Sequence, residues 1–227
     1  MSAHDFINLK TYPIGADGPE RVALLETVRA DLERDGCVVL KGFLTADGVA
    51  ALTAEAESVS EQGHRSFNRT NAYFTKDDPD LPADHPKRQF FDRSNAFIPA
   101  DNFSPEGALR QIHDFEGFDA FIQACLQEEN FYRYADPLAD VIVNMAEEGE
   151  GFPWHFDTNN FTVTLAIQNA ESGGAFEYAP AIRAENENFD EVGRVLRGQS
   201  DRVKVLELEP GDLQLFRGRN SLHRVAP

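Results

Sequence analysis

Short alternating strands separated by tight turns fill the second half of the chain, and this pattern restricts the fold more than any other feature. Residues 161–168 alternate Phe, Val, Leu and Ile with Thr, Thr, Ala and Gln, and residues 203–208 alternate again. A period of two residues is typical of strands that are buried on one face only. Gly173-Gly174 and Pro210-Gly211-Asp212 supply turns between them. Short strands at this spacing predict an antiparallel sandwich or barrel rather than a parallel sheet.

Residues 151–157, Gly-Phe-Pro-Trp-His-Phe-Asp, carry the strongest signal of chemistry. His155 and Asp157 are two positions apart, so in a strand both side chains point to the same face. A second imidazole from another strand would complete the facial set of three ligands that suits non-haem Fe(II) and leaves positions for substrate and oxygen. His223 is the candidate for that third ligand. A lone His-x-Asp pair is common, so the neighbouring sequence has to support the assignment.

The segment from Trp154 to Pro227 resembles the double-stranded β-helix (jelly-roll) core of the Fe(II)/2-oxoglutarate-dependent dioxygenases. Four features of that superfamily occur here in the same order: the His155-x-Asp157 pair, the strand after Gly173-Gly174, the Glu209-Pro210-Gly211-Asp212 turn with Phe216, and His223 followed by Val225 and Pro227. Within the superfamily, residues 134–138, 154–157 and 218–225 are most similar to small bacterial enzymes that hydroxylate or halogenate free amino acids such as lysine.

The resemblance implies a mainly β jelly-roll core with N-terminal helical support, and Fe(II) held by His155, Asp157 and His223. In the family, 2-oxoglutarate and O₂ take the remaining positions on the metal, and oxidative decarboxylation to succinate and CO₂ drives oxidation of a substrate C–H bond. In the related halogenases the aspartate position holds a small residue, and chloride binds in its place. Asp157 therefore implies hydroxylation and disfavours halogenation.

The resemblance also implies an Arg or Lys for the distal carboxylate of 2-oxoglutarate, on a strand ten or more residues past the second histidine. This chain stops at Pro227, four residues after His223. We therefore expect the last strand and its cation to lie beyond Pro227. The alternatives are that Arg219 or Arg224 is the anchor, with Arg224 expected to face away from His223, or that the site binds metal without the co-substrate. The resemblance adds two further candidates for co-substrate contacts, Asn144 and Thr164.

Residues 63–104 contain few aliphatic residues, several prolines, and interleaved aromatic and cationic residues. A long irregular segment inside a domain is usually functional or disordered, and the aromatic residues favour an ordered loop that covers the substrate. Arg93 is the first candidate for binding a substrate carboxylate in a bidentate contact. The alternative is that Arg88 and Arg93 pair with local aspartates such as Asp92.

Two other residues are candidates for substrate contacts. The resemblance places Asp136 near an amine of the substrate. Trp154, next to the first ligand, would form a pocket wall or stack on a substrate cation. The alternative for Trp154 is ordinary core packing.

The 227 residues predict a single domain, 1–227, with three parts. Residues 1–62 form a helix–strand–helix lead-in with a helix over 19–36 and a strand over 37–40, and residues 63–104 form the covering loop. Residues 105–227 form a helix over 106–129, a strand over 140–145 and the jelly-roll core.

The net charge of −18 argues against nucleic acid as a partner. It favours either a cationic substrate or simply solubility. No signal peptide or apolar run of membrane-spanning length is present, and Cys37 and Cys125 fit a reducing cytoplasm. The sequence indicates no particular oligomeric state. Three hypotheses result: a 2-oxoglutarate-dependent hydroxylase of a free, cationic amino acid; the same chemistry on another small molecule or a protein side chain; or a non-catalytic jelly roll that binds metal or ligand.

Overall fold

The computed structural model describes residues 2–227 of the chain. Within this range the α-helices are α1 (Ala3–Phe6), α2 (Pro19–Asp35), α3 (Ala46–Ser58), α4 (Ala108–His113), α5 (Phe118–Leu126) and α6 (Phe189–Leu196). The strands are β1 (Cys37–Leu40), β2 (His64–Asn71), β3 (Phe90–Ile98), β4 (Val143–Met145), β5 (Phe152–His155), β6 (Thr162–Leu165), β7 (Phe176–Ala179), β8 (Lys204–Leu206), β9 (Leu213–Phe216) and β10 (Leu222–Val225). Every strand pairing is antiparallel.

Two of the three sheets face each other and form a sandwich. One has the strand order β1-β9-β6 and the other β5-β10-β7-β8. Phe216 on β9 packs edge-on against Phe176 and Tyr178 on β7, with ring centroids 5.2 and 5.7 Å apart. Cys37 and Leu206 complete this small apolar interior. The prediction of a mainly β, antiparallel sandwich with flanking helices is confirmed.

Successive side chains of a strand point to opposite faces of its sheet, so each sheet of the sandwich also has an outer face with apolar side chains. Helical structure covers that outer face. Leu213 and Leu215 on β9 point away from the interior into the largest core cluster, where α2 and α5 pack. Leu222 on β10 points outward into a second cluster with Val192 and Val195 of α6. The side chains that alternate with these residues therefore point into the sandwich.

The third sheet corrects the prediction of a long irregular loop over residues 63–104. β2 pairs with β3 over its whole length, from His64 opposite Phe97 to Asn71 opposite Phe90, and β4 adds to β3. β2 is polar and mostly exposed, so it lacks the apolar alternation by which strands are recognised from sequence. The connection between β2 and β3 is irregular apart from the short 3₁₀ turn Pro86–Arg88, and a second 3₁₀ turn, Ala100–Asn102, follows β3.

The N-terminal lead-in has the predicted order: α2, β1 and α3, with the 3₁₀ turn Ser60–Gln62 completing the second helix. The helix predicted over 106–129 is instead two helices, α4 and α5, separated at Asp114–Gly117, where Gly117 adopts a φ of 91°. The strand predicted over 140–145 is shorter and begins at Val143. Over residues 2–227, no helix combines the length and apolar character that a membrane span requires.

Candidate metal centre

Neighbouring strands bring the two histidines face to face. In the antiparallel pair of β5 and β10, His155 lies directly opposite His223, and their ring centroids are 4.2 Å apart. The residues before them, Trp154 and Leu222, point outward into the second apolar cluster. The alternation of each strand thus directs both imidazoles into the sandwich.

Asp157 joins the two imidazoles from a position just past the end of β5. Its backbone N–H donates to the carbonyl of Gly218, at 3.1 Å, which fixes the chain after the strand. Oδ1 lies 3.7 Å from Nε2 of His155 and 3.4 Å from Nε2 of His223. One ligand atom from each residue lies within 4.8 Å of the other two. Two imidazoles and one carboxylate on one side of a shared centre match the facial set of a non-haem Fe(II) site.

Hydrogen bonds orient each of the three side chains toward that shared centre. Nδ1 of His155 bonds to the carbonyl of Pro153 at 2.8 Å, and Nδ1 of His223 bonds to the carbonyl of Ser221 at 2.9 Å. A carbonyl accepts only from an N–H, so in the neutral rings Nε2 carries the free lone pair. The hydroxyl of Thr162 donates to Oδ2 of Asp157 at 2.8 Å, which leaves Oδ1 for the metal. Such outer partners are typical of real metal sites.

The protonation states also suit a metal. Burial, together with the neighbouring His223, lowers the pKa of His155 to about 3. Burial would raise the pKa of Asp157, but its contacts with His223, His155 and Thr162 outweigh burial, so that pKa lies below its ordinary value. At neutral pH the site therefore presents a neutral imidazole at His155 and a carboxylate at Asp157, the forms that bind metal.

Gly218 leaves the space in which the Asp157 carboxylate lies. A Cβ at this position would overlap the carboxylate, including Oδ2 and Cγ of Asp157. The glycine is thus required for a close approach of backbone to a ligand side chain.

Replacing Gly218 by Ala is expected to displace the carboxylate and to lower the affinity for Fe(II) by about 10- to 100-fold, the usual cost of disturbing the partners of a metal ligand. Anaerobic titration with Fe(II) measures this. Gly193→Ala is the matched control, because a Cβ there meets only the flexible side chain of Arg197. Equal affinities for the two variants and the parent chain would show that the carboxylate does not need this space.

The turn after β2 places two aromatic rings beside the centre. Asn71 is fully buried; its Oδ1 accepts from the N–H groups of Tyr73 and Thr75, and its Nδ2 donates to the carbonyls of Thr75 and Lys87. This turn holds Phe74 at a φ of 55°, an uncommon conformation for an aromatic residue that is often found at functional sites. The Phe74 ring lies 5.7 Å from the ring of His155.

Arg93, on β3, lies close to the centre as well. Its guanidinium carbon is 5.5 Å from the ring centroids of both Phe74 and Phe152, and its Nε donates to Oδ1 of Asn95 at 3.2 Å. Burial lowers the pKa of Arg93, and the charge of Asp157 opposes that effect. Within residues 2–227, no carboxylate forms a salt bridge with Arg93, whereas Arg88 pairs with Asp77.

The structure does not bring Trp154 or Asp136 to the metal centre. Trp154 faces the opposite side of β5 from His155, packs in the second apolar cluster and carries the guanidinium of Arg224 over its ring at 4.8 Å. The strand period explains this position. Asp136 is exposed, and its Oδ1 accepts from the N–H of Leu138 in its own turn.

The predicted co-substrate residues lie in three different places. Asn144 is an exposed residue of β4, opposite Phe97. Thr164 is an exposed residue of β6, two positions after Thr162 and thus on the same face. Arg219 lines a cleft beside Asp157 and donates from Nη1 to the carbonyl of Thr158 at 2.8 Å. The expectation of a strand and cation beyond Pro227 stays a prediction.

Three residues beside the centre were not identified as site residues from the sequence: Tyr73, Thr162 and Arg183. Thr162 could have been identified from the sequence, because it lies five residues after Asp157 in a strand that faces the sandwich. Arg183 comes from an irregular segment between β7 and α6, and only the tertiary packing brings it to the site.

Comparisons with known proteins give one matching family model and several structures of similar fold. A family model described as Halogenase D matches residues 21–227. A prolyl-4-hydroxylase from Pseudomonas putida is 17% identical, with a TM-score of 0.53 over 90% of this chain and 92% of that one. A 2OG-Fe(II) oxygenase from Burkholderia pseudomallei is 12% identical, with a TM-score of 0.53 over 89% and 83% of the two chains. No curated protein sequence matches this chain.

A third solved structure is similar in fold and carries ligands. The epimerase SnoN, determined in complex with Fe3+, alpha ketoglutarate and nogalamycin RO, is 16% identical, with a TM-score of 0.53 over 90% of this chain and 78% of that one. At these identities the likeness is one of fold. It confirms the double-stranded β-helix that the sequence predicted.

Proposed function

The chain belongs to the Halogenase D family, and from that premise we propose that it is an Fe(II)- and 2-oxoglutarate-dependent oxygenase that hydroxylates an unactivated C–H bond of a free amino acid. The observation that carries the proposal is the convergence of His155, Asp157 and His223, whose ligand atoms lie within 4.8 Å of one another. The branch of the superfamily and the amino-acid substrate are supported by the sequence resemblance around these ligands.

The chain's own residues hold, orient and enclose the reacting groups. When bound, iron with 2-oxoglutarate and O₂ would supply the oxidising power for C–H cleavage. The three ligands would hold the metal, with Thr162 fixing the carboxylate. The Phe74 ring lies 5.7 Å from the ring of His155, where its apolar surface would help to keep water away from the reacting centre. The protein's contribution to rate is then positioning of the C–H bond.

Asp157 favours hydroxylation over halogenation in spite of the name of the family. The carboxylate would take the third protein position of the facial set, with Gly218 leaving space for it and Thr162 donating a hydrogen bond to it. A chloride ion would need that position to be free. Family membership establishes the common descent of the chain but not the outcome of the reaction, and the carboxylate at residue 157 favours hydroxylation.

Two measurements test this proposed function. Adding 2-oxoglutarate to the Fe(II)-loaded protein without oxygen should produce a metal-to-ligand absorption band. Succinate release in air, screened over the twenty common amino acids and ornithine, should depend on one or a few of them. A band with no amino-acid-dependent succinate would favour the same chemistry on another small molecule or on a protein side chain. The absence of a band would leave a non-catalytic, metal-binding jelly roll.

Arg93 is proposed to bind the α-carboxylate of the substrate, because it is a partly buried guanidinium beside the centre without a carboxylate partner in residues 2–227. Replacing Arg93 by Ala should raise the KM for the amino acid about 10- to 100-fold, the value of a charged hydrogen-bonded contact, with a smaller effect on kcat. Steady-state succinate release at varied amino-acid concentration measures both.

Arg88→Ala is the matched control, because Arg88 lies in the same region but pairs with Asp77 at 2.9 Å. It should leave KM unchanged. An unchanged KM in Arg93→Ala would remove Arg93 from the substrate pocket.

A further inference from the structure

The surroundings of the metal centre have the opposite charge from the chain as a whole. The protein carries a net charge of −18, yet three arginines, Arg93, Arg183 and Arg219, lie beside the centre. Arg183 and Arg219 line a cleft together with a single acidic residue, Asp157, which is a candidate metal ligand. A concave site of one charge attracts ligands of the other. The local charge therefore argues against a cationic side chain in this cleft.

This cleft, here called the Tyr73 cleft, lies directly beside Asp157 and has a volume of about 200 Å³. It is lined by Tyr73, Phe74, Phe156, Asp157, Thr158, Arg183 and Arg219. One water molecule needs roughly 10–15 Å³ of a cavity measured in this way, so the cleft has room for one short side chain with its end group. It is too small for a macromolecule.

Arg183 is held in the cleft with hydrogen-bonding capacity to spare. Its Nε donates to the carbonyl of Arg219 at 2.7 Å, and its guanidinium stacks 4.1 Å above the ring of Phe156. Nη1 has a loose contact with Glu187, at 3.5 Å, and that carboxylate is half exposed. Nothing in residues 2–227 accepts a hydrogen bond from Nη2. A stacked and pre-positioned guanidinium of this kind is suited to bind a carboxylate.

The hydroxyl of Tyr73 supplies a second, independent observation. It is buried and has no hydrogen-bond partner among the residues that the structure describes. A buried hydroxyl without a partner costs free energy and is rare, so it calls for an explanation, of which a bound ligand is one. Burial raises the pKa of Tyr73, so the group stays a phenol and is able to donate to an anion. The guanidinium of Arg183 lies 5.7 Å from its ring.

Phe74 contacts both this cleft and Arg93, beside the metal centre. The same ring lines the Tyr73 cleft, lies 5.5 Å from the guanidinium of Arg93, and covers His155. A small molecule that spans the ring of Phe74 would thus meet the guanidinium of Arg93 at one end and the Tyr73 cleft at the other.

We propose that the Tyr73 cleft binds a side-chain carboxylate, so that the substrate is an acidic amino acid. Arg93 would bind its α-carboxylate, and Arg183 and Tyr73 would bind its side-chain carboxylate. This inference rests on the proposed function, which fixes the centre as the place of reaction. It names the substrate class and replaces the cationic side chain expected from the net charge.

The test compares acidic amino acids with their neutral isosteres. The protein is loaded with Fe(II) and 2-oxoglutarate without oxygen and titrated in a calorimeter with L-aspartate, L-glutamate, L-asparagine, L-glutamine, L-lysine and L-ornithine. At least one acid should bind about tenfold or more tightly than its own amide, as expected for a charge-assisted contact. The two cationic amino acids should bind more weakly than that acid.

Four variants locate the preference. Arg183→Gln should remove the difference between acid and amide, and Arg183→Lys, which keeps the charge, should retain part of it. Tyr73→Phe should weaken binding of the acid severalfold. The midpoint of thermal unfolding of this variant should equal or exceed that of the parent protein, because an unpaired buried hydroxyl is lost. Arg202→Gln is the control, since Arg202 is exposed and contacts the carbonyl of Pro180.

The outcomes separate this inference from the proposed function. If a cationic or neutral amino acid binds best and drives succinate release, the acidic substrate is wrong while the oxygenase function stands. If Arg183→Gln weakens the 2-oxoglutarate absorption band but not amino-acid binding, the cleft belongs to the co-substrate and the inference fails. If no amino acid binds and no absorption band forms, both proposals fail together.

Discussion

His223→Ala should abolish binding of Fe(II) and, with it, any succinate release. His223 is buried, lies opposite His155 in the strand pair and presents Nε2 at 3.4 Å from the Asp157 carboxylate. Two ligands, His155 and Asp157, remain in the variant. They do not complete the facial set of three ligands that holds the metal. The expected loss of Fe(II) affinity is more than about 100-fold, the upper end of the cost of losing even an outer partner of a ligand.

Anaerobic Fe(II) titration and the absorption band with 2-oxoglutarate measure this loss separately from catalysis. His223 also packs on Phe216, with ring centroids 4.7 Å apart, so the Ala variant loses some stability. His223→Gln is a second variant that keeps more of the volume and should also lose the metal. His64→Ala is the control, because His64 is an exposed residue that packs on Phe97. Undiminished Fe(II) binding in His223→Gln would mean that the metal lies elsewhere.

The parts of the fold that the sequence predicted are those in which one face of an element is buried. The alternation of β6 and β9 is visible because their outward faces meet the helical core. The ligands were predictable for the same reason: His155 and His223 follow outward-facing residues, Trp154 and Leu222, so strand period alone determines their direction.

The parts that the sequence did not predict lack such a pattern. β2 is exposed on most of its length, and it is recognisable only through its pairing with β3. α6 spans only Phe189–Leu196 and includes a glycine, Gly193, so its helical period extends over barely two turns. The Tyr73 cleft depends on Arg183, which reaches Phe156 through contacts between distant segments. Such contacts leave no local trace in a single sequence.

The last prediction concerns the ligand that separates hydroxylation from halogenation. In Asp157→Gly the carboxylate is removed, while Gly218 still leaves open the space it occupied. The hydroxyl of Thr162, which donates to Oδ2 in the parent chain, becomes free to donate to another anion. The positive charge of Arg93 is then no longer balanced by Asp157. All three changes favour a small anion such as chloride at this place.

With chloride and the amino acid that supports succinate release, Asp157→Gly should therefore lose hydroxylated product and form chlorinated product, as detected by mass spectrometry. Bromide in place of chloride should give the brominated product, which excludes contamination. Asp157→Asn is the matched control: its amide fills nearly the same volume as the carboxylate, so it should lose hydroxylation without gaining chlorination. Chlorinated product from Asp157→Asn as well would mean that the volume of this side chain does not exclude the halide. If Asp157→Gly still bound Fe(II) and 2-oxoglutarate but gave no chlorinated product, Asp157 would not be the residue that determines the outcome.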